Sequence, residues 1–287
     1  MNTGGYEIGK DLFLIAEAGI NHNGSVQNAM DMIEAARLCG CNCVKFQTFK
    51  AEEVCDDKQT YTYRSQGKEI TESRQAMSKR VELPDSAWSK LRNECYRKGL
   101  IFLSTPETPS DVDILMEVGV PALKIASDNL TNLPMLRYCA KTGLPLILSC
   151  GMSDMSEVTT AVSIIGTKDN ALLVCTSNYP TEPVDVNLAR MTTLKNAFPS
   201  LEVGFSDHTL GNMAAVIAAS LGASIFECHF TLSENLPGPD HSWSKTTEGL
   251  KQWVRYIKMA RTMLGDGVVH PRGMEIANKS KFQRKVA

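Results

Sequence analysis

The strongest constraint in this chain is an eightfold alternation of short apolar runs with longer amphipathic ones. Strand-like runs occupy 12–18, 42–48, 100–104, 122–126, 144–149, 171–176, 201–206 and 224–229. Helix-period stretches lie at 25–38, 84–98, 110–117, 133–141, 154–165, 186–197, 212–221 and 245–264. Asp154 with Glu157 has capping-box spacing, and Gly99, Gly119, Gly143 and Gly222 stand where helices should stop. A strand that returns through a helix lies parallel to its predecessor. Eight such units in about 260 residues predict an α/β fold, a (β/α)8 TIM barrel. An open doubly wound sheet is the competing arrangement, but no G-x-G-x-x-G follows the first strand. One barrel domain is expected over 1–265, with 266–287 a polar, basic linker or tail.

The formal net charge of -2 gives no reason to expect nucleic acid or an anionic membrane as partner. No apolar run approaches a membrane span, and the polar start lacks a signal-peptide core, so a cytoplasmic location is expected. The nine cysteines include no C-x-x-C pair and read as reduced, buried small hydrophobes. Between Thr48 and Pro84 a long polar insertion carries Tyr61, Tyr63 and Arg64; a lid and a solvated excursion are both open readings.

In a barrel, function gathers at the C-terminal ends of the strands. Taken strand by strand, those ends carry Glu17; Lys45 and Gln47; Ser104 and Thr105; Lys124 and Ser127; Ser149; Thr176 and Ser177; Ser206 and His208; Glu227 and His229. Lysine inside an apolar strand is costly unless an anion or a carboxylate meets it. Neither Lys45 nor Lys124 has a carboxylate beside it in its own strand. Two such lysines in a ring of hydroxyls suggest a cradle for a small, densely anionic ligand such as a phosphorylated acid. The seventh and eighth strands each end in histidine, in Phe205-Ser206-Asp207-His208 and Glu227-Cys228-His229. These two imidazoles, with Asp207 and Glu227 nearby, are suited to share a divalent metal that keeps open positions. His22, amid Asn21, Asn23 and Gly24, reads as a turn residue.

Several runs together resemble the sialic acid synthases, the phosphoenolpyruvate-dependent nonulosonate synthases. They are Leu14-Ile15-Ala16-Glu17-Ala18-Gly19-Ile20-Asn21-His22-Asn23-Gly24, Val44-Lys45-Phe46-Gln47-Thr48, Phe102-Leu103-Ser104-Thr105-Pro106 and Leu148-Ser149-Cys150-Gly151-Met152. Cys175-Thr176-Ser177-Asn178-Tyr179-Pro180, Gly204-Phe205-Ser206-Asp207-His208-Thr209 and Pro237-Gly238-Pro239-Asp240 complete the set, which covers roughly 8–264. The resemblance implies condensation of phosphoenolpyruvate (PEP) with the open-chain aldehyde of an N-acyl hexosamine such as N-acetylmannosamine, giving a nonulosonate and phosphate. It implies that His208 and His229 hold Mn2+ or Mg2+. Lys45, Thr105, Lys124, Ser127, Ser149, Ser177 and Ser206 would surround PEP, and Glu17, Gln47, Tyr179 and Asp240 would face the sugar. Glu17 or Glu227 would manage protons. It also implies a homodimer in which a C-terminal antifreeze-like domain of one chain closes the other's site; this chain stops about where that domain would begin.

The chain departs from the family where Ser-Gly-Glu usually follows the fourth-strand lysine. Ser127-Asp128-Asn129 stands there, so a carboxylate is missing at the third position, and Asp128 is the expected substitute. The insertion around Arg74-Gln75-Ala76-Met77 also lacks the family's usual Tyr-Glu element. Two other functions compete: a Schiff-base aldolase using Lys45 or Lys124, and a non-catalytic sugar- or anion-binding barrel.

Overall fold

The computed structural model describes residues 1–56 and 58–284; Asp57 of the insertion and Lys285, Val286 and Ala287 of the expected tail lie outside the described residues. Eight parallel strands form the barrel: β1 (Phe13–Gly19), β2 (Cys43–Thr48), β3 (Ile101–Pro106), β4 (Leu123–Ile125), β5 (Leu146–Ser149), β6 (Ala171–Val174), β7 (Glu202–Asp207) and β8 (Ile225–Thr231). Ladders run in the order β3-β2-β1-β8-β7-β6-β5-β4, and β3 lies beside β4 to close the ring. The outer layer is α1 (Val26–Cys39), α2 (Asp85–Arg97), α3 (Pro109–Val118), α4 (Leu133–Lys141), α5 (Met155–Ile165), α6 (Arg190–Ala197), α7 (Met213–Ser220) and α8 (Thr247–Leu264). The Asp154–Glu157 capping box opens α5 as the spacing predicts. The helix predicted over 186–197 begins only at Arg190, because Asn187 takes a left-handed φ of 46° after a 3-10 turn at Pro183–Asp185.

Period-two alternation divides each strand between two cores. Leu14, Ala16, Val44, Phe46, Phe102 and Phe226 point outward against the helices. Phe13, Ile15, Cys43, Leu103, Ala122, Ile147, Leu173 and Ile225 point inward and fill the floor of the barrel. The Phe, Leu and Ile side chains among them each contribute about 1.5–3 kcal/mol on burial. An N-terminal hairpin, Asn2–Thr3 with Tyr6–Glu7, brings Tyr6 and Ile8 onto this floor and closes the barrel from below. Gly204 is required on β7: a Cβ there would lie 2.4 Å from the Ile225 carbonyl oxygen and 2.7 Å from a Leu173 methyl.

The insertion is a packed roof. A short helix (Ala51–Val54) leads to an antiparallel hairpin (Thr60–Ser65 with Lys68–Ser73) and a further helix (Arg74–Val81). Tyr63, Met77 and Val81 bury against Ile20 and Phe49. The Gly238 amide donates to Ser65 Oγ (3.1 Å) and Gln66 Nε2 to the Asn235 carbonyl (3.0 Å), tying the hairpin to the loop after β8. The tail beyond 265 is also more ordered than a linker, with an exposed helix at Met274–Phe282. All nine cysteines are buried and unpaired. Among the described residues no helix is long and apolar enough to cross a membrane.

Candidate active site

Above the apolar floor, the next inward position on strand after strand is polar. Glu17 on β1, Lys45 on β2, Thr105 on β3, Lys124 on β4, Ser149 on β5, Ser206 on β7 and Glu227 on β8 therefore meet in one buried layer. The register enforces this: Glu17 pairs with Lys45 across β1–β2, and Ser206 with Glu227 across β7–β8. Lys45 Nζ lies 2.7 Å from Glu17 Oε2, 2.8 Å from Thr105 Oγ1 and 3.8 Å from Glu227 Oε2. Lys124 Nζ donates to Ser149 Oγ at 2.6 Å and lies 3.6 Å from Glu227 Oε1. Ser206 Oγ donates to the same Glu227 oxygen at 3.0 Å.

The strand lysines are thus met by carboxylates, although those carboxylates come from other strands. Glu17, which the resemblance turned toward the sugar, lies against Lys45. The two glutamates differ in charge. Burial pushes Glu17 up to about 8, against the pull of Lys45. Burial acts on Glu227 in the same sense, but Lys124 and Lys45 together outweigh it and hold it below the usual carboxylate range. Lys45 is driven the other way by burial, yet Glu17 and Glu227 keep its pKa above normal. Near neutrality the layer holds two ammonium groups against one fully ionised carboxylate, and a surplus positive charge favours an anion.

Beside this layer, Ser127, Ser177 and Cys175 converge on Gly151. The Gly151 amide donates to Ser127 Oγ at 3.0 Å, and the Ser177 hydroxyl is buried with no partner. A Cβ on Gly151 would stand 2.4 Å from Ser177 Oγ and 2.9 Å from Ser127 Oγ, so the hydroxyls close on bare backbone. Such a small cluster of hydroxyls can seat an oxyanion.

At the mouth, His208 and His229 lie with ring centroids 5.8 Å apart. His208 Nδ1 donates to the Thr176 carbonyl at 2.7 Å, which leaves Nε2 as the lone-pair nitrogen, 3.4 Å from Ser206 Oγ. Burial lowers the pKa of both rings, and His229 is depressed further by His208 and the lysines. His229 Nδ1 is buried without a hydrogen-bond partner and lies 3.8 Å from Asp240 Oδ2. Two neutral imidazoles, each with a lone-pair nitrogen, fit a divalent cation. Tyr179 packs on His208 at 4.3 Å, and Trp243 on His229 at 4.6 Å and Tyr179 at 4.8 Å. Gln47 continues the inward face of β2 beyond Lys45, in register with Thr105.

Some expectations are corrected. Asp207 is not beside the histidine nitrogens: its Oδ2 accepts from Trp253 Nε1 (2.9 Å) and its Oδ1 from Thr209, on the outer face of β7. Ser104 and Thr176 likewise turn away, to Thr48 Oγ1 and the Asp185 carbonyl. Asp128 is exposed while Asn129 is buried, so it is the side chain of Asn129 that is enclosed here. His22 is buried, and its Nδ1 accepts from the Gly24 amide in a turn, as read from its neighbours. Trp243 has no place among the residues expected from the sequence, and Gly151 stands there only within its motif, without a role; an aromatic following Pro237-Gly238-Pro239-Asp240 was the available signal for Trp243.

The NeuB family profile matches residues 32–269. The chain belongs to the NeuB family. It is 39% identical over 282 residues to the N,N'-diacetyllegionaminic acid synthase of Legionella pneumophila, covering 96% of this chain and 79% of that one. It is 32% identical over 280 residues to the human N-acetylneuraminate-9-phosphate synthase, covering 96% and 77%. The solved N-acetylneuraminic acid synthetase of Leptospira borgpetersenii, in complex with citrate, superposes with a TM-score of 0.86 at 32% identity, over 99% of this chain and 98% of that one. The NeuB barrel is thereby the architecture of this chain, with the lysine layer, the serine cradle and the histidine pair at its mouth.

Proposed function

We propose that this chain condenses PEP with the open-chain aldehyde of an N-acyl hexosamine, releasing phosphate and a nonulosonate. The observation that carries this reading is the joint placement of two buried lysines, a serine–glycine cradle and two neutral histidines in one mouth. Lys45 and Lys124 hold the carboxylate and phosphate of PEP, with Thr105, Ser127, Ser149, Ser177 and Ser206 supplying hydroxyls. Tyr179, Gln47 and Asp240 bound the sugar on the mouth side. His208 and His229 would hold Mn2+ or Mg2+, which supplies Lewis-acid polarisation of an aldehyde oxygen. C3 of PEP attacks the aldehyde carbon, water adds to C2, and the C2 centre then expels phosphate. The lysine layer stabilises negative charge through these steps, and roofing by the insertion limits water.

The higher identity to a diacetyllegionaminic acid synthase favours an acceptor with two acetamido groups over N-acetylmannosamine. A Schiff base at Lys45 suits the layer poorly: that chemistry needs a free amine, and Glu17 and Glu227 favour the ammonium form of Lys45. The test is PEP-dependent phosphate release with N-acetylmannosamine, its 6-phosphate and a diacetamido-trideoxyhexose, each with Mn2+. Release with at least one acceptor, and none without, supports the reading; no release with any overturns it.

A further inference from the structure

Glu107 stands in the bend directly after β3, two residues beyond Thr105. Its amide donates to the Thr48 carbonyl at 3.3 Å, which keeps the backbone in register with β2 at the mouth. Its Oε2 accepts from Asn129 Nδ2 at 3.1 Å. Asn129 is the residue that stands where the family's Ser-Gly-Glu run carries a carboxylate, and its side chain is buried in the wall of the site. Asn132 Nδ2 donates to Asn129 Oδ1 at 2.9 Å, which fixes the amide with its NH2 toward Glu107. A carboxyl group therefore does stand at this place, and a different strand delivers it.

We propose that Glu107 is a catalytic acid of this enzyme, taking the place of the carboxyl group that Asn129 has vacated. The inference rests on the PEP-condensing reading above. With Asn129 donating to Oε2, Oε1 is the oxygen left to carry a proton. In the collapse of the C2 centre, Glu107 gives that proton to the bridging phosphate oxygen as the C2–O bond breaks. The C2 hydroxyl becomes the ketone, and its proton returns to Glu107. The carboxyl thus leaves the step as it entered, and phosphate departs as a better leaving group.

The surroundings suit an acid that is protonated near neutrality. Burial pushes Glu107 up to about 8, helped by the negative charges of Asp128 after β4 and Asp111 on α3. Lys45 on β2 and Arg74 on the insertion's last helix act the other way and are outweighed. Asp111 Oδ2 accepts from the amides of Glu107 and Thr108 and from Thr108 Oγ1, which commits that carboxylate to capping α3, while its Oδ1 is buried without a partner.

The experiment compares wild type, Glu107→Gln, Asn129→Glu and the double exchange Glu107→Gln/Asn129→Glu for phosphate release across pH 6 to 9.5, with PEP affinity from calorimetry. Removing a positioned acid costs about 10²–10⁴-fold. Glu107→Gln is expected to lower kcat about a hundredfold or more and to bind PEP within threefold of wild type. The double exchange should recover at least tenfold of that loss, because the carboxyl returns from the other strand. A Glu107→Gln enzyme within threefold of wild type overturns the proposal while leaving the PEP reading intact. A double exchange no better than Glu107→Gln overturns it as well. Absence of phosphate release by wild type overturns both.

Discussion

Lys45 Nζ and Glu17 Oε2 stand 2.7 Å apart in the barrel interior, each side chain almost fully shielded from water. A lone lysine there would be far too costly, and a lone glutamate equally so. The pair lets the barrel hold a positive charge at the level where PEP is proposed to bind.

Replacing Lys45 with Met strips Glu17 and Glu227 of a shared partner. Folding stability is expected to fall by about 3 kcal/mol, read from urea denaturation, and PEP affinity to fall more than acceptor affinity. Adding Glu17→Gln should recover most of the stability and none of the PEP binding. Recovery of both would assign Lys45 a structural role alone.

His208→Ala and His229→Ala are each expected to abolish phosphate release without loss of the folded barrel. The decisive readout is Mn2+ binding followed by electron paramagnetic resonance, in which each variant should leave the ion free. Wild-type turnover undiminished in excess chelator, or unchanged Mn2+ binding by both variants, contradicts this assignment.

Trp253 is fully buried, and its indole N–H is the group that satisfies Asp207 Oδ2. Trp253→Phe keeps most of the packing and leaves that carboxylate oxygen short of a donor, with only Lys245 at 3.7 Å. A loss of about 1–3 kcal/mol in stability is expected, with kcat and both KM values within about twofold of wild type. A selective loss of kcat would place Asp207 in the chemistry after all.

Burial drives His22 down to about 4, so the folded protein keeps this ring neutral while the unfolded chain protonates it near 6.5. Between those values the unfolded state binds more protons, and stability falls on acidification, by up to about 1.4 kcal/mol per pH unit for this group. His22→Gln removes that slope. The stability difference between wild type and variant, measured by denaturation from pH 7 down to 4.5, should therefore shift toward the variant as pH falls. Parallel curves across this range refute the neutral, buried His22.

Much of the fold is legible because it is local. Each barrel strand is an apolar run with its own capped helix, and hydrophobic period alone separates the two kinds of segment. The Thr48–Pro84 insertion resisted the same reading: its hairpin turns on Gln66 and Gly67, both with positive φ, between strands whose polar residues give little apolar contrast. The candidate site is legible in residue type and less so in orientation. Asp207 and His208 are adjacent in sequence, and pleating sends the carboxylate out to Trp253 and the imidazole in toward His229.

The sequence by itself determined the eight βα units, their parallel order and the strand ends at which Lys45, Lys124, His208 and His229 would gather. Pattern and connectivity act over short stretches, and the barrel follows from them. Only the tertiary structure decided that Glu17 meets Lys45, that Glu227 serves both lysines, and that Glu107 answers Asn129 where Asp128 was expected. Those pairings join different strands, and their partners are chosen by register around a closed ring and by the cost of leaving any one charge unpaired in the interior.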